Sequence, residues 1–107
     1  MTSELIDNDV RVGTVLEAER FEKCNKPEMF KLKIDLGSET IRSAAQLGYN
    51  HEPSEVEEKQ VLCVTDLGEV TIAGFTSEAL TVGVPDEEGN PVLVSPDKQV
   101  PEGGNLY

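Results

Sequence analysis

Apolar and polar residues alternate cleanly along "MFKLKIDLG". Phe30, Leu32, Ile34 and Leu36 take one face, and Lys31, Lys33 and Asp35 the other. Period two of this kind marks a strand with one buried side. "DVRVGTVLEAERF" carries a similar pattern, which places Val10, Val12, Thr14 and Leu16 on the inner face. Gly13 inside it predicts a bulge or a sharp bend. "EKCNKPE" reads as a loop, "GSE" as a turn, and "TIRSA" as a third short strand. Pro53 and Ser54, followed by Glu55, Val56, Glu57 and Glu58, predict a short helix, because proline suits the first turn and acids favour its positive end. "VLCVTDLG" is a buried strand.

"IAGFTSEALTVG" breaks the pattern with Gly74 and with the polar trio Thr76, Ser77 and Glu78. We read it as a bend closing a barrel, followed by a strand over Leu80–Val84 with Leu80 and Val82 inside. Ser77 and Glu78 either bond neighbouring backbone at the bend or face a ligand. "PDEEGN" is an acidic turn, "PVLVS" a short strand, and "PDKQVPEGGNLY" an irregular tail. Short strands with one brief helix between the third and fourth predict an all-β fold: a five-stranded OB-fold barrel with Greek-key order, a short helical insertion and short extra terminal strands. The long helices and glycine-rich phosphate loop of a βαβ nucleotide-binding fold are missing.

With 107 residues the chain is expected to form a single domain over 1–107. Such a chain buries roughly two-thirds of its unfolded surface. No apolar run is long enough to span a bilayer. "MTSELIDNDV" lacks the basic and apolar regions of a secretion signal, so the cytoplasm is the expected compartment, with no membrane insertion. Cys24 and Cys63 match no zinc or redox spacing, and His51 is the sole histidine, so neither a metal nor a cofactor is expected. A Ser-His-Asp triad would depend on His51 alone, and the reading is non-catalytic.

Charge adds more. Asp and Glu number 21 against nine Lys and Arg, for a net charge of −12. Self-repulsion of that size is relieved by salt, and the composition suits a salty cytoplasm. All of the basic residues except Lys98 precede residue 60. Lys31 and Lys33 on one strand face, Arg42 on the next strand, and Arg20, Lys23 and Lys26 in the adjoining loop could form a cationic surface for phosphates. Phe21, Phe30, Tyr49, Phe75 and Tyr107 are the aromatic candidates for base stacking. Phe30 and Phe75 read as core, and Tyr49 as the exposed one.

Three segments now align in order: "DVRVGTVLEAERFEKCNKPEMFKLKIDLG", "IRSAAQL" and "IAGFTSEALTVGVPDEEGNPVLVSPDKQVPEG". Together they resemble the stand-alone tRNA-binding-domain proteins, nearest to the CsaA-type export-associated chaperone group. The resemblance implies an OB-fold homodimer that binds tRNA largely by its structure. Peptide or preprotein binding, and assembly of an aminoacyl-tRNA synthetase complex, are the alternatives it carries. It also implies that "PVLVS" and the tail from Val100 contribute to dimerisation. Lys31 and Lys33 match the family's "KLKID" strand. Ser43, Ala45 and Gln46 match its "SSAQ" pattern, with Ala44 replacing the second serine. Ser77 and Glu78 match its "SE" pair. Asp66 stands where the family usually has Asn, and Glu69 and Val70 where basic character is usual. By this resemblance Lys31, Lys33 and Arg42 are expected to contact backbone phosphates. Ser43, Gln46, Asp66, Ser77 and Glu78 are expected to form a polar pocket for tRNA or peptide, with Tyr49 and Phe75 as an apolar edge for the peptide.

Overall fold

The first strand decides the shape of the molecule. A computed structural model describes residues 6–106, in which β1 runs from Val10 to Arg20. Its first half pairs with β4 (Gln60–Val64) and its second half with β2 (Phe30–Asp35), both antiparallel. Strict alternation does not hold along it. Val10 and Val12 are buried on one face, Val15 and Ala18 on the other, and Leu16, expected inside, is exposed. The cause is a bulge: Val15 pairs with Ile34 and Glu17 with Lys33, leaving Leu16 without a partner. Gly13, expected to mark the bulge, lies before it. It is needed for close packing, since a Cβ there would come within 2.5 Å of Ile34 Cγ2 and 2.9 Å of Leu36 Cδ2.

β2 behaves as its pattern requires, with Phe30, Leu32, Ile34 and then Leu36 in the core. β3 (Thr40–Ala45) pairs with it and turns Ile41 and Ser43 inward. The short helix α1 (Pro53–Val56) follows, with Pro53 in its first turn. Its start is a reciprocal cap between Glu52 and Glu55, and Val56 inserts fully into the core. β4 sends Val61 and Cys63 inward.

The "IAGFTSE" stretch is a separate hairpin, not a bend within a barrel strand. β5 (Val70–Ile72) and β6 (Phe75–Ser77) pair only with each other. Ala73 and Gly74 form the two-residue tip with φ of 47° and 83°. That is the left-handed pair a tight hairpin turn of the primed type demands. The strand expected over Leu80–Val84 is divided. β7 (Leu80–Thr81) pairs with β4, and β8 (Gly83–Pro85) forms a second hairpin with β9 (Pro91–Leu93). Ala79, just before β7, and Thr81 face the core and Leu80 faces out, the reverse of the expected register.

The main sheet has the order β3-β2-β1-β4-β7 and curls into a nearly closed antiparallel barrel of the OB type. The tail runs along the edge of β1 that β2 leaves free. Gly103 N–H donates to the Val12 carbonyl at 2.8 Å, and Leu106 N–H to that of Val10 at 2.9 Å. Among the described residues no helix is long and apolar enough to cross a membrane.

Candidate nucleic-acid interface

Strand register brings the cations of β2 and β3 together. Across the outer face Glu19 stands opposite Lys31, and Glu17 opposite Lys33, with Arg42 beyond it on β3. A cleft of about 680 Å³ lies over this face. Its lining includes Lys31, Lys33 and Arg42, and also the carboxylates of Glu17, Glu19, Glu57 and Glu78. Four acids therefore face three bases, and the cleft is not a basic patch in the ordinary sense.

Phe75, expected in the core, is a half-buried wall of this cleft. Its ring meets buried Phe21 edge to face at 5.5 Å. The Arg42 guanidinium lies 5.6 Å from the Phe75 centroid, and the Lys31 ammonium 5.4 Å from that of Phe21. Cations over aromatic faces are held by the ring quadrupole. Lys31 Nζ also contacts Glu19 Oε1 at 3.0 Å. Arg20 belongs to a different arrangement, bridging Glu28 at 3.1 Å and Glu52 at 3.0 Å. Lys23 and Lys26 are on the exposed loop between β1 and β2. Only three of the six expected cations share the cleft.

The polar residues named from the sequence occupy distinct places. Ser77 and Glu78 bond backbone. The Ala44 N–H donates to Ser77 Oγ at 3.0 Å, and the Arg42 N–H to Glu78 Oε2 at 2.7 Å. Glu78 N–H returns a bond to the Arg42 carbonyl at 2.8 Å. These bonds close the barrel where β3 and β7 have no ladder of their own. Glu78 keeps one side on the cleft. Ser43 is fully buried behind it, its hydroxyl bonded to the Ala79 carbonyl at 2.9 Å and to Thr81 Oγ1 at 2.8 Å. In this conformation no ligand reaches it. Gln46 donates to the Pro27 carbonyl at 2.8 Å and ties down the loop after β1.

Asp66 lies apart from the cleft, after β4. It accepts from the Asp9 N–H at 2.9 Å and from Asn8 Nδ2 at 3.2 Å, which hold its carboxyl below the usual range. Tyr49 is exposed on the loop after β3, also outside the cleft lining, and Tyr107 lies outside the described residues. Neither thiol is in a disulfide, and burial pushes that of Cys63 up to about 12. Glu17, Glu19 and Glu57 are cleft residues that no motif of the sequence marks. For Glu17 and Glu19 the signal is the outward alternation of "EAE", but only strand register shows which cations they oppose; Glu57, just after α1, reaches the cleft by accepting the Ala18 N–H at 3.2 Å.

The family model for the tRNA binding domain matches residues 10–105. The chain belongs to the tRNA-binding-domain family. A methionine–tRNA ligase of Methanococcoides burtonii is 34% identical over 100 residues, which cover 92% of this chain and 14% of that enzyme. The chain thus spans a small part of the ligases it matches. Among solved structures, the chaperone CsaA of Bacillus anthracis superimposes with a TM-score of 0.88 at 31% identity, covering 98% of this chain and 96% of that one. The CsaA chaperone protein of Picrophilus torridus gives 0.86, also at 31% identity, over 98% and 96%. For this tRNA-binding-domain chain, likeness to the CsaA structures runs along nearly the whole length.

Proposed function

We propose that the protein is a non-catalytic tRNA-binding module acting in the cytoplasm. The observation that carries the reading is the convergence of Lys31, Lys33 and Arg42 on one concave face beside a half-exposed phenylalanine, within a tRNA-binding-domain fold. Cations there neutralise backbone phosphates, and the Phe75 edge offers apolar surface to a base or sugar. Glu78 shapes the rim, Ser77 and Ser43 hold the strands behind it, and Gln46 ties down the loop after β1. Asp66 has no part in this version of the site. Replacing Lys31 and Lys33 together by Ala should weaken tRNA binding at least about tenfold and flatten its salt dependence by roughly one to two slope units. An unchanged affinity across a KCl series would refute the assignment.

A homodimer accompanies this reading. Leu62, Val64, Leu80 and, just past β7, Val82 share one outer face by their register; Val64 is already buried, and Leu80 is half exposed. Beside them Val12, Leu62, Val100, Pro101 and Leu106 line a mainly apolar groove of about 370 Å³. A second copy would remove this surface from water. Light scattering at low and high salt tests it, and a monomer under both conditions rejects it.

Peptide binding is the second reading, favoured by the apolar wall that Phe75 gives the cleft and by the likeness to CsaA structures. It predicts saturable binding of an unfolded polypeptide with negligible RNA affinity. Assembly of a synthetase complex would follow from the relationship to methionine–tRNA ligases, and a pull-down at native salt would recover that enzyme.

A further inference from the structure

Two of the cleft's three cations are already engaged. Lys31 has a carboxylate 3.0 Å from its ammonium, and Arg42 has one 3.8 Å from Nε. The two carboxylates differ in kind. Glu78 accepts a backbone N–H and helps close the barrel. Glu19 makes no other hydrogen bond among the described residues, and its side chain is 68% exposed. It adds little to the fold, since exposed ion pairs contribute little. Yet it sits on the one ammonium that is also held over the rings of Phe21 and Phe75. A carboxylate oxygen 3.0 Å from an ammonium occupies a position that a phosphate oxygen would take.

We infer that Glu19 is a specificity-determining residue of this face: its carboxylate acts as an internal phosphate mimic on Lys31, which an RNA must displace. The inference rests on the tRNA reading given above. With four carboxylates lining the cleft against three cations, a flexible polyanion gains little from approaching it. A folded RNA that makes several contacts at once displaces Glu19 through their sum. A flexible strand, with fewer fixed contacts, does not. Glu19 thereby favours shape over charge.

The test is Glu19→Gln, which keeps the side chain's length and removes its charge. Glu88→Gln, in the turn between β8 and β9, is the control for an equal change in net charge at a site outside the cleft. Binding is followed by fluorescence anisotropy across a KCl series, with one tRNA and one oligouridine of similar length. Glu19→Gln should bind oligouridine about three- to tenfold tighter, with a salt slope steeper by about 0.7, as for one more phosphate neutralised. Its affinity for tRNA should rise less, so the ratio of tRNA to oligouridine affinity falls. Glu88→Gln should leave that ratio unchanged.

If wild type binds tRNA and Glu19→Gln shows the same ratio as wild type or as Glu88→Gln, the inference is overturned while the tRNA reading stands. If neither wild type nor variant binds either RNA, both fall. Coincident thermal melting of the three proteins shows that folding is not the cause.

Discussion

Removing the Ser43 hydroxyl separates a structural role from a ligand contact. Each hydroxyl has one proton to donate. The Ala79 carbonyl can only accept, so Ser43 donates to it, and the Thr81 hydroxyl must donate to Ser43 Oγ. Ser43→Ala therefore orphans a buried Thr81 hydroxyl, while the Ala79 carbonyl keeps a second donor in Ser77 Oγ at 3.3 Å. A buried donor left unpaired costs about 1–3 kcal/mol. In a domain of this size each kcal/mol lowers Tm by roughly 4–8 °C. Thr81→Val leaves the Ser43 proton satisfied and should cost less. The double variant removes both polar groups and should cost less than the sum of the singles, by about 0.5–3 kcal/mol of coupling. Urea unfolding of the four proteins measures all three quantities. RNA affinity, measured well below each Tm, should stay at the wild-type value. Wild-type stability in Ser43→Ala together with a tenfold loss of binding would refute this reasoning and make Ser43 a contact residue.

Gly13→Ala should destabilise the barrel by about 1–3 kcal/mol, because the added methyl overlaps Ile34 and Leu36; denaturant midpoints read this directly. Ala73→Asn should raise stability by about 0.5–1 kcal/mol, since Asn tolerates the left-handed φ that Ala holds there, and an unchanged or lower Tm would count against the hairpin assignment. His51 Nε2 accepts the Leu93 N–H at 3.2 Å and so holds β9, and burial, with help from Lys59, keeps its pKa below 6.5 despite opposition from Glu55. The neutral form is favoured by folding, so this stabilisation is full above pH 6.5 and is lost as pH falls through the lower folded value. Wild type should therefore lose more Tm than His51→Gln on acidification through that window, and parallel profiles would exclude the role. Asp66 and Asp86, both held below 3.8, add losses only at still lower pH. With a net charge of −12, thermal stability should rise from dilute buffer to multimolar KCl, and a flat or falling series would remove the link to a salty compartment.

Short-range pattern is legible in the chain alone. Phe30, Leu32 and Ile34 alternate without interruption and are buried as read, and Pro53 with the acids after it starts a helix where local chemistry requires one. The order of strands around that helix was enough for the barrel class. Tertiary structure decided whatever depends on a partner strand. Leu16 is ejected because β1 changes neighbours from β4 to β2, and the bulge appears only in the pairing. Leu80 faces out because β7 joins β4 in a register that a two-residue strand cannot announce. Ser77 and Glu78 stood out as polar interruptions, but only the approach of β3 shows that they close a gap in backbone hydrogen bonding. Likewise the lysines of β2 were visible as charges, whereas the carboxylates opposing them come from β1, whose register is fixed by the folded sheet. Side-chain period is a property of one strand, while the charge of a surface belongs to several strands at once.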